Sequence, residues 1–434
     1  MMHNYRSRKF LGVFTLAGLL MALVASNAAA ETLEQAWAAA VAADHGLKAS
    51  RDNSAAAASQ LAAAKAARLP SLETGADYIG VTELPALKAD LLNQTFQIPL
   101  AQRNGVTYNA TATLPIYTGG QIEHGIAAAS SVLQAARLGE TTSERDLKLR
   151  VAEAYVNVLR ATRGLDVAES HQTTLEAHAR DVDNLVQQGM AARNAQLSSQ
   201  VALLDARQQV LQAANALDLA RAAYNRLLGR TLDQPVELDD ISPEAIEDTI
   251  PILTERALTQ RSELKTFDRQ IAALRDQASA VRRETLPQVG LSGGYDYLQD
   301  RYLSHEGQWV VALGLKWNVF DGGSSRNRGS AIDHQAAALS EQRDDVASLI
   351  GLQVRQSLLD VQTTLKRIDV TQSAIAQAEE NVRVVRDRFV NGLAPYTEVL
   401  DAETLRVNSA TNHANAVYDA VMSELRLKYA IGEL

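Results

Sequence analysis

Cysteine is absent from the 434 residues. That excludes disulfides, thiolate metal sites, a cysteine nucleophile and a lipidated N-terminal cysteine. Proline is scarce, nine in all, and aromatics make up 5%. Rigid aromatic cores are thinly supplied, and long uninterrupted helices are favoured instead. Positive charge is in deficit, with 42 Lys and Arg against 51 Asp and Glu for a net −9. Phosphate recognition needs clustered Lys and Arg, so these dispersed charges argue against a nucleic-acid partner. No G-x-S-x-G, P-loop or H-E-x-x-H sequence occurs. His171 and His178 are seven apart, whereas a helical zinc pair wants i and i+4 with a third ligand. They read as surface residues. The chain therefore reads as no enzyme, without catalytic, cofactor or metal-ligating residues.

After residue 30 no run is apolar enough for a membrane helix. Before it, Arg6, Arg8 and Lys9 precede the apolar run Phe10 to Ala25, and Ala28 and Ala30 are spaced as A-x-A. This order of basic, apolar and small residues is that of a cleavable secretory signal. Cleavage after Ala30 leaves Glu31 first. An exported chain without membrane helices can enter a membrane only as strands of a closed barrel.

The remainder is two copies of one unit. Pro70 and Tyr78 match Pro287 and Tyr295, a shift of 217. Gly119-Gly120 matches Gly322-Gly323, Gly189 matches Gly392 and Leu228-Gly229 matches Ile431-Gly432, a constant shift of 203. The first copy thus carries 14 extra residues between Pro70 and Ile116, expected as a loop at one end. The resulting divisions are an export signal (1–30), a first repeat (31–229), a linker (230–252) and a second repeat (253–434). The first repeat reads as helix 32–68, hairpin 71–117, long helix 121–188 and helix 193–228. The second reads as helix 253–285, hairpin 288–320, long helix 324–390 and helix 396–431.

The helices follow from period and composition. Residues 32–68 hold 16 alanines and no proline, and alanine is the best helix former. From Gln121 to Gln188 apolar residues keep a heptad through Leu147, Val151, Ala154, Val158, Ala161 and Leu165, and the seam recurs at +203. A sustained 3.5-residue period means supercoiled, packed helices, and 68 residues at 1.5 Å each reach roughly 100 Å. Between the helices the period becomes 2. Val106, Tyr108, Ala110, Ala112, Leu114 and Ile116 share one face, opposite Thr107, Asn109, Thr111 and Thr113. Trp309, Val311, Leu313, Leu315, Trp317 and Val319 do the same in the second copy. Alternation with aromatics at strand ends is the pattern of outer-membrane barrels. Val106, Tyr108, Leu114, Trp309, Val311, Leu313, Leu315 and Trp317 are therefore expected to face lipid. Four strands cannot close a barrel, so protomers must pool strands. Two would give a narrow, filled barrel and three a twelve-stranded one with an open lumen.

The helix–helix turns carry a resemblance. Arg388 to Ala410 read RFVNGLAPYTEVLDAETLRVNSA, and the run from Val186 reads VQQGMAARNAQLSSQVALLDA. With the duplicated turn glycines, the strand–Gly-Gly–helix junctions and the signal peptide, the whole mature chain resembles the TolC-like outer-membrane factor family. The resemblance implies a mainly α fold with a membrane β-barrel. In it a homotrimeric twelve-stranded barrel in outer-membrane lipid continues as a periplasmic α-helical barrel. It implies an exit duct for tripartite efflux, served by a periplasmic adaptor and an inner-membrane pump of RND or ABC type. Glu398 and Asp401 match the family's acidic entrance ring, and Gly189, Met190, Gly392 and Leu393 are the tip positions expected to dock the adaptor. The family's Tyr, Arg and Asp lock is missing, since Phe389, Ala394 and Ala195 stand there. Type I protein secretion by the same architecture is one alternative. A soluble periplasmic coiled-coil scaffold is another.

Overall fold

The computed structural model describes residues 30–434 except 85, 92, 93, 100, 245 and 247. The export signal, apart from Ala30, lies outside the described residues. Two helices dominate, α3 (Gln121–Gln187) and α7 (Ser324–Val390), each of 67 residues and so about 100 Å long. Around them lie α1 (Leu33–Ala43), α2 (His45–Ala66), α4 (Arg193–Leu227), α5 (Ile250–Gln260), α6 (Ser262–Arg282) and α8 (Tyr396–Ile431). α3 packs on α2 along one half and α4 along the other. α7 does the same with α6 and α8, and α6 and α8 also touch α3. Each long helix is thus flanked by two shorter ones laid end to end.

The helices read over 32–68 and 253–285 are each broken once. Asp44 ends α1 in an extended conformation (φ −60°, ψ 127°) and caps α2, its carboxylate accepting the Leu47 N–H at 2.7 Å. Arg261 takes the same extended conformation between α5 and α6 (φ −63°, ψ 124°), without a side-chain cap. The two breaks are 217 residues apart, the shift of the repeat itself. Arg261 is buried, donates to Gln353 Oε1 at 2.8 Å and lies over the Tyr429 ring. Tertiary contacts therefore fix a break that carries no proline.

Among the described residues, all eight glycines with positive φ fall into four pairs related by 203: Gly119 and Gly322, Gly120 and Gly323, Gly189 and Gly392, Gly229 and Gly432. The backbone turns, not only the helices, are duplicated. At Gly119 (φ +64°) a Cβ would lie 2.7 Å from the Leu286 Cβ, so the strand-to-helix turn needs glycine for space and conformation alike.

The strands β1 (Ser71–Gly80), β4 (Asn104–Tyr117), β5 (Gln288–Leu298) and β6 (Gly307–Lys316) form one antiparallel sheet in the order β1-β4-β5-β6. The 14-residue insertion, expected as a loop, is instead a hairpin of β2 (Ala86–Leu91) and β3 (Gln94–Pro99) paired only with itself. Trp317 lies one residue past β6, where its indole N–H donates to the Thr285 carbonyl at 3.1 Å.

Three apolar clusters hold the helices. The largest joins α1, α3, α4 and α8 around Tyr155 and Tyr224. Its Tyr155 hydroxyl donates to the carbonyls of Glu31 and Asp239, at 2.6 and 2.8 Å, tying the first described residues to the linker at mid-length of the molecule. A second joins α5, α6, α7 and α8, and a third lies near the free ends of the helix hairpins.

Candidate channel wall and entrance

Directly opposed residues on antiparallel strands share a face. The register opposes Leu313 to Leu291, and Leu291 to Leu114. It likewise opposes Trp309 to Tyr295, Tyr108 to Tyr297, and Val106 to Tyr78. One face therefore carries every sequence-assigned apolar residue within the strands. Away from the strand ends Thr74 is its only polar aliphatic residue, and the rest are apolar, aromatic or glycine. The other face carries Glu73, Asp77, Thr107, Asn109, Thr111, Thr113, Ser292, Asp296, Gln308 and Lys316.

The aromatics gather at the two ends of this apolar band. Tyr108 stacks on Tyr297 at 4.3 Å and Tyr295 lies 5.3 Å from Trp309 at the end remote from the helices. Tyr117, Trp317 and Phe320 stand at the helix end. Eight residues separate Trp309 from Trp317, about 26 Å along a strand, which matches the apolar height of outer-membrane barrels. Trp309 is 80% and Val311 78% exposed in the single chain. Leu114 is half-buried, while Val106 and Tyr108 are exposed. β1 and β6 each have one neighbour only, so the sheet has two unpaired edges. No described helix is long and apolar enough to cross a membrane.

The helical layer also has uncovered edges. α4 exposes Leu197, Val201, Leu204 and Leu211 at heptad spacing, and α7 exposes Leu352, Leu359, Val370 and Val384. These stripes are equivalent to coiled-coil seams without a partner.

At the far tip both hairpins turn on a glycine with open space around it, Gly189 (φ +71°) and Gly392 (φ +70°). Met190 N–H bonds to the Leu185 carbonyl and Leu393 N–H to that of Arg388, both at 2.8 Å, closing matching C-terminal caps. Met190 and Leu393 project into solvent. Glu398 and Asp401 open α8. Glu398 accepts from Arg388 at 3.1 Å, and Asp401 is exposed without an ion-pair partner among the described residues.

The positions of the missing lock are filled by packing. Phe389 sits 5.3 Å from Tyr396, and both join Val182, Val385, Val399 and Ala402, with Ala195 against their edge. Ala394 is half-buried beside this cluster's turn. Arg386 of α7 bonds Asp181 of α3 at 2.7 Å across the two hairpins.

The surface reading of His171 and His178 is overturned. His178 is 4% exposed and faces Glu403 of α8, itself 2% exposed, at 3.3 Å. Arg406 donates to the other Glu403 oxygen at 2.8 Å. Burial pushes the Glu403 carboxyl up, but hydrogen bonds from His178 and Arg406 outweigh it and hold the group below its ordinary range. His171 is half-buried one stretch further along, and burial lowers its pKa. No cluster among the described residues is suited to a metal ion.

Residues 253–433 match the outer membrane efflux protein family model. Outer membrane protein TolC of Escherichia coli (strain K12) is 24% identical over 446 aligned residues, covering 96% of this chain and 86% of TolC. Among solved structures, CusC superposes with a TM-score of 0.79 at 16% identity, over 92% of each chain. The outer membrane protein VceC of Vibrio cholerae gives 0.77 at 17%, over 92% of this chain and 96% of its own. TolC and VceC are outer membrane proteins, and CusC forms a transmembrane channel. Through its second repeat the chain is thus similar to the outer membrane efflux protein family, along nearly its whole length it is similar in sequence to TolC, and it shares the fold of CusC and VceC.

Proposed function

We propose that three copies close into an exit duct for small molecules, with a twelve-stranded barrel in outer-membrane lipid and a helical tube below it. The observation that carries this is the four-stranded sheet, apolar on one face and polar on the other, with both edges open. A spanning sheet cannot leave its edges unpaired in hydrocarbon. Pairing β6 of one copy with β1 of the next is a head-to-tail contact that closes into a ring. The exposed seams on α4 and α7 meet in the same ring. The polar sheet face then lines water, and Trp309, Val311, Leu313 and Leu315 face lipid, with Val106, Tyr108, Leu114 and Trp317.

Energy comes from elsewhere in this reading, since the sequence holds no P-loop and no described helix is long and apolar enough to cross a membrane. An inner-membrane pump supplies it through a periplasmic adaptor that docks at the exposed tip residues Gly189, Met190, Gly392 and Leu393. A cleavable signal at 1–30 delivers the chain. The entrance is narrowed by Glu398 and Asp401 from each copy. Arg388 cancels half of that acidic charge and orients Glu398, so Asp401 supplies the larger share of the field. A ring of carboxylates selects cations.

Reversal potentials of the purified protein in planar bilayers test the entrance. The wild type should prefer cations, and Asp401→Ala should lose more of that preference than Glu398→Ala. Selectivity unchanged in both variants would remove the acidic ring from the account.

A further inference from the structure

The two helix hairpins, α3–α4 and α7–α8, end in separate turns, so an entrance at those turns widens only if one hairpin swings from the other. Near the tip their joint runs between α3 and α8. It has an apolar part around Val182 and Val399 and one buried ionic part, His178 with Glu403 and Arg406. His178 lies eleven residues before Gly189 and Glu403 eleven after Gly392, so both stand about 16 Å from their turns, at one level. Glu403 is two residues beyond Asp401 on the same helix. Movement at Glu403 is therefore carried directly to the acidic ring.

We propose that the His178–Glu403 contact, braced by Arg406, is the latch that holds the entrance closed in place of the missing hydrogen-bonded lock. The proposal rests on the duct reading above.

Three features separate it from ordinary packing. His178 and Glu403 are more than nine-tenths buried, whereas Arg386–Asp181, the other ionic link between the hairpins near the tip, is about half exposed and screened by solvent. The latch occurs once per chain. The positions related by the repeat to His178, Glu403 and Arg406 are Asn381, Gln200 and Leu203, all uncharged. Finally, the cluster is under-satisfied. His171 Nδ1, Arg406 Nη2 and the Tyr396 hydroxyl are buried beside it without hydrogen-bond partners. Parting the helices would hydrate all three, which offsets part of the cost of breaking the pair. A buried pair is strong when complete and costly when one member is lost, and orphaned neighbours poise it between two states.

The charged groups facing the cluster are accounted for. His171 and Arg406 flank it, and on α4 Arg207 is held by Glu176. On α7 Arg383 is held by Glu380 and Asp387, and Arg386 by Asp181.

The test compares planar-bilayer recordings of the purified, assembled wild type, Glu403→Gln and the apolar double variant Glu403→Met/Arg406→Met. Glu403→Gln strands the half-buried Arg406 charge and should raise the ratio of open to closed time by about tenfold or more. The double variant leaves no unpaired charge and should return towards the wild type. Both variants should still reach the membrane as the assembled oligomer, so that the open-to-closed ratio, which a merely structural role would leave unmoved, is read on folded protein. If Glu403→Gln does not assemble, His178→Leu removes the cluster's own hydrogen bond between α3 and α8 and should open the channel likewise. Assembled Glu403→Gln or His178→Leu protein with wild-type gating would overturn the latch. Failure of the wild type itself to conduct, though folded and inserted, would instead overturn the duct.

Discussion

Arginine placed on the apolar face of the sheet should prevent membrane assembly, while arginine on the opposite face should not. Val311 and Leu313 lie in the middle of β6, opposite Gly293 and Leu291, with 78% and 70% of their surface uncovered in the single chain. A lipid-facing Arg near the bilayer midplane costs about 2–4 kcal/mol. The double variant Val311→Arg/Leu313→Arg therefore loses roughly 4–8 kcal/mol, comparable to the whole stability of an ordinary domain, about 5–15 kcal/mol. Ala312 is the internal control. It stands between them but faces Ser292 on the polar side, so Ala312→Arg should cost little in a water-filled lumen. Outer-membrane fractionation followed by an assay for the detergent-resistant oligomer reads both. Normal yield of the double variant would show that this face does not meet lipid. Loss of Ala312→Arg with survival of the double variant would mean that the faces are inverted.

Other perturbations probe the rest of the frame. Val158→Pro, at a position 2% exposed within α3, should cost about 3 kcal/mol or more. It should abolish dye export from cells while the sheet still reaches the membrane; wild-type export would refute a continuous helix. Gly119→Ala combines a left-handed backbone with a Cβ 2.7 Å from the Leu286 Cβ, and should lower the melting temperature by the equivalent of about 2 kcal/mol. Equal melting would show that the turn relaxes freely. Glu31 accepts from Tyr224 at 3.0 Å and is gripped by both guanidinium nitrogens of Arg230. Burial raises its pKa, but these bonds prevail and hold it below the ordinary 4.5. The stabilisation is thus present above that value and lost as the pH falls through the depressed one. Glu31→Gln should melt earlier than the wild type at pH 7, by the equivalent of about 1–3 kcal/mol, and the gap should close in acid. A gap that persists unchanged in strong acid would contradict the assignment.

The duplication, the long helices and the alternating strands were legible because each has a strong periodic cause. The heptad from Leu147 to Leu165 and the period-2 run from Trp309 survive any local context, and the paired glycines mark turns that only glycine makes. The helix breaks were not legible. Asp44 interrupts its helix by capping the next one, and Arg261 does so through contacts with Tyr429 and Gln353, which lie far away in the chain. The inserted hairpin was invisible because β2 and β3 are short and pair only with each other. His178 was misjudged because the heptad assigns α3 a single neighbour. In the fold α3 touches both α4 and α8, and His178, three residues after Leu175 and four before Val182, faces the second. Glu398 and Asp401 stand at the start of α8 as expected, but the Arg388 partner of Glu398 comes from the preceding helix, ten residues away across the turn.

The claim on which all of this depends is that the sheet, open in one chain, closes through copies of the chain. Its lack of cysteine makes the most direct measurement clean. One cysteine at Ala312 on β6 would be combined with single cysteines scanned along β1 from Ser71 to Tyr78, and the oxidised membranes resolved by mass. The account predicts covalent dimers and trimers, with nothing larger, at the one register where β6 meets β1 of the next copy. Bonds confined to single chains, or none at any position, would contradict it.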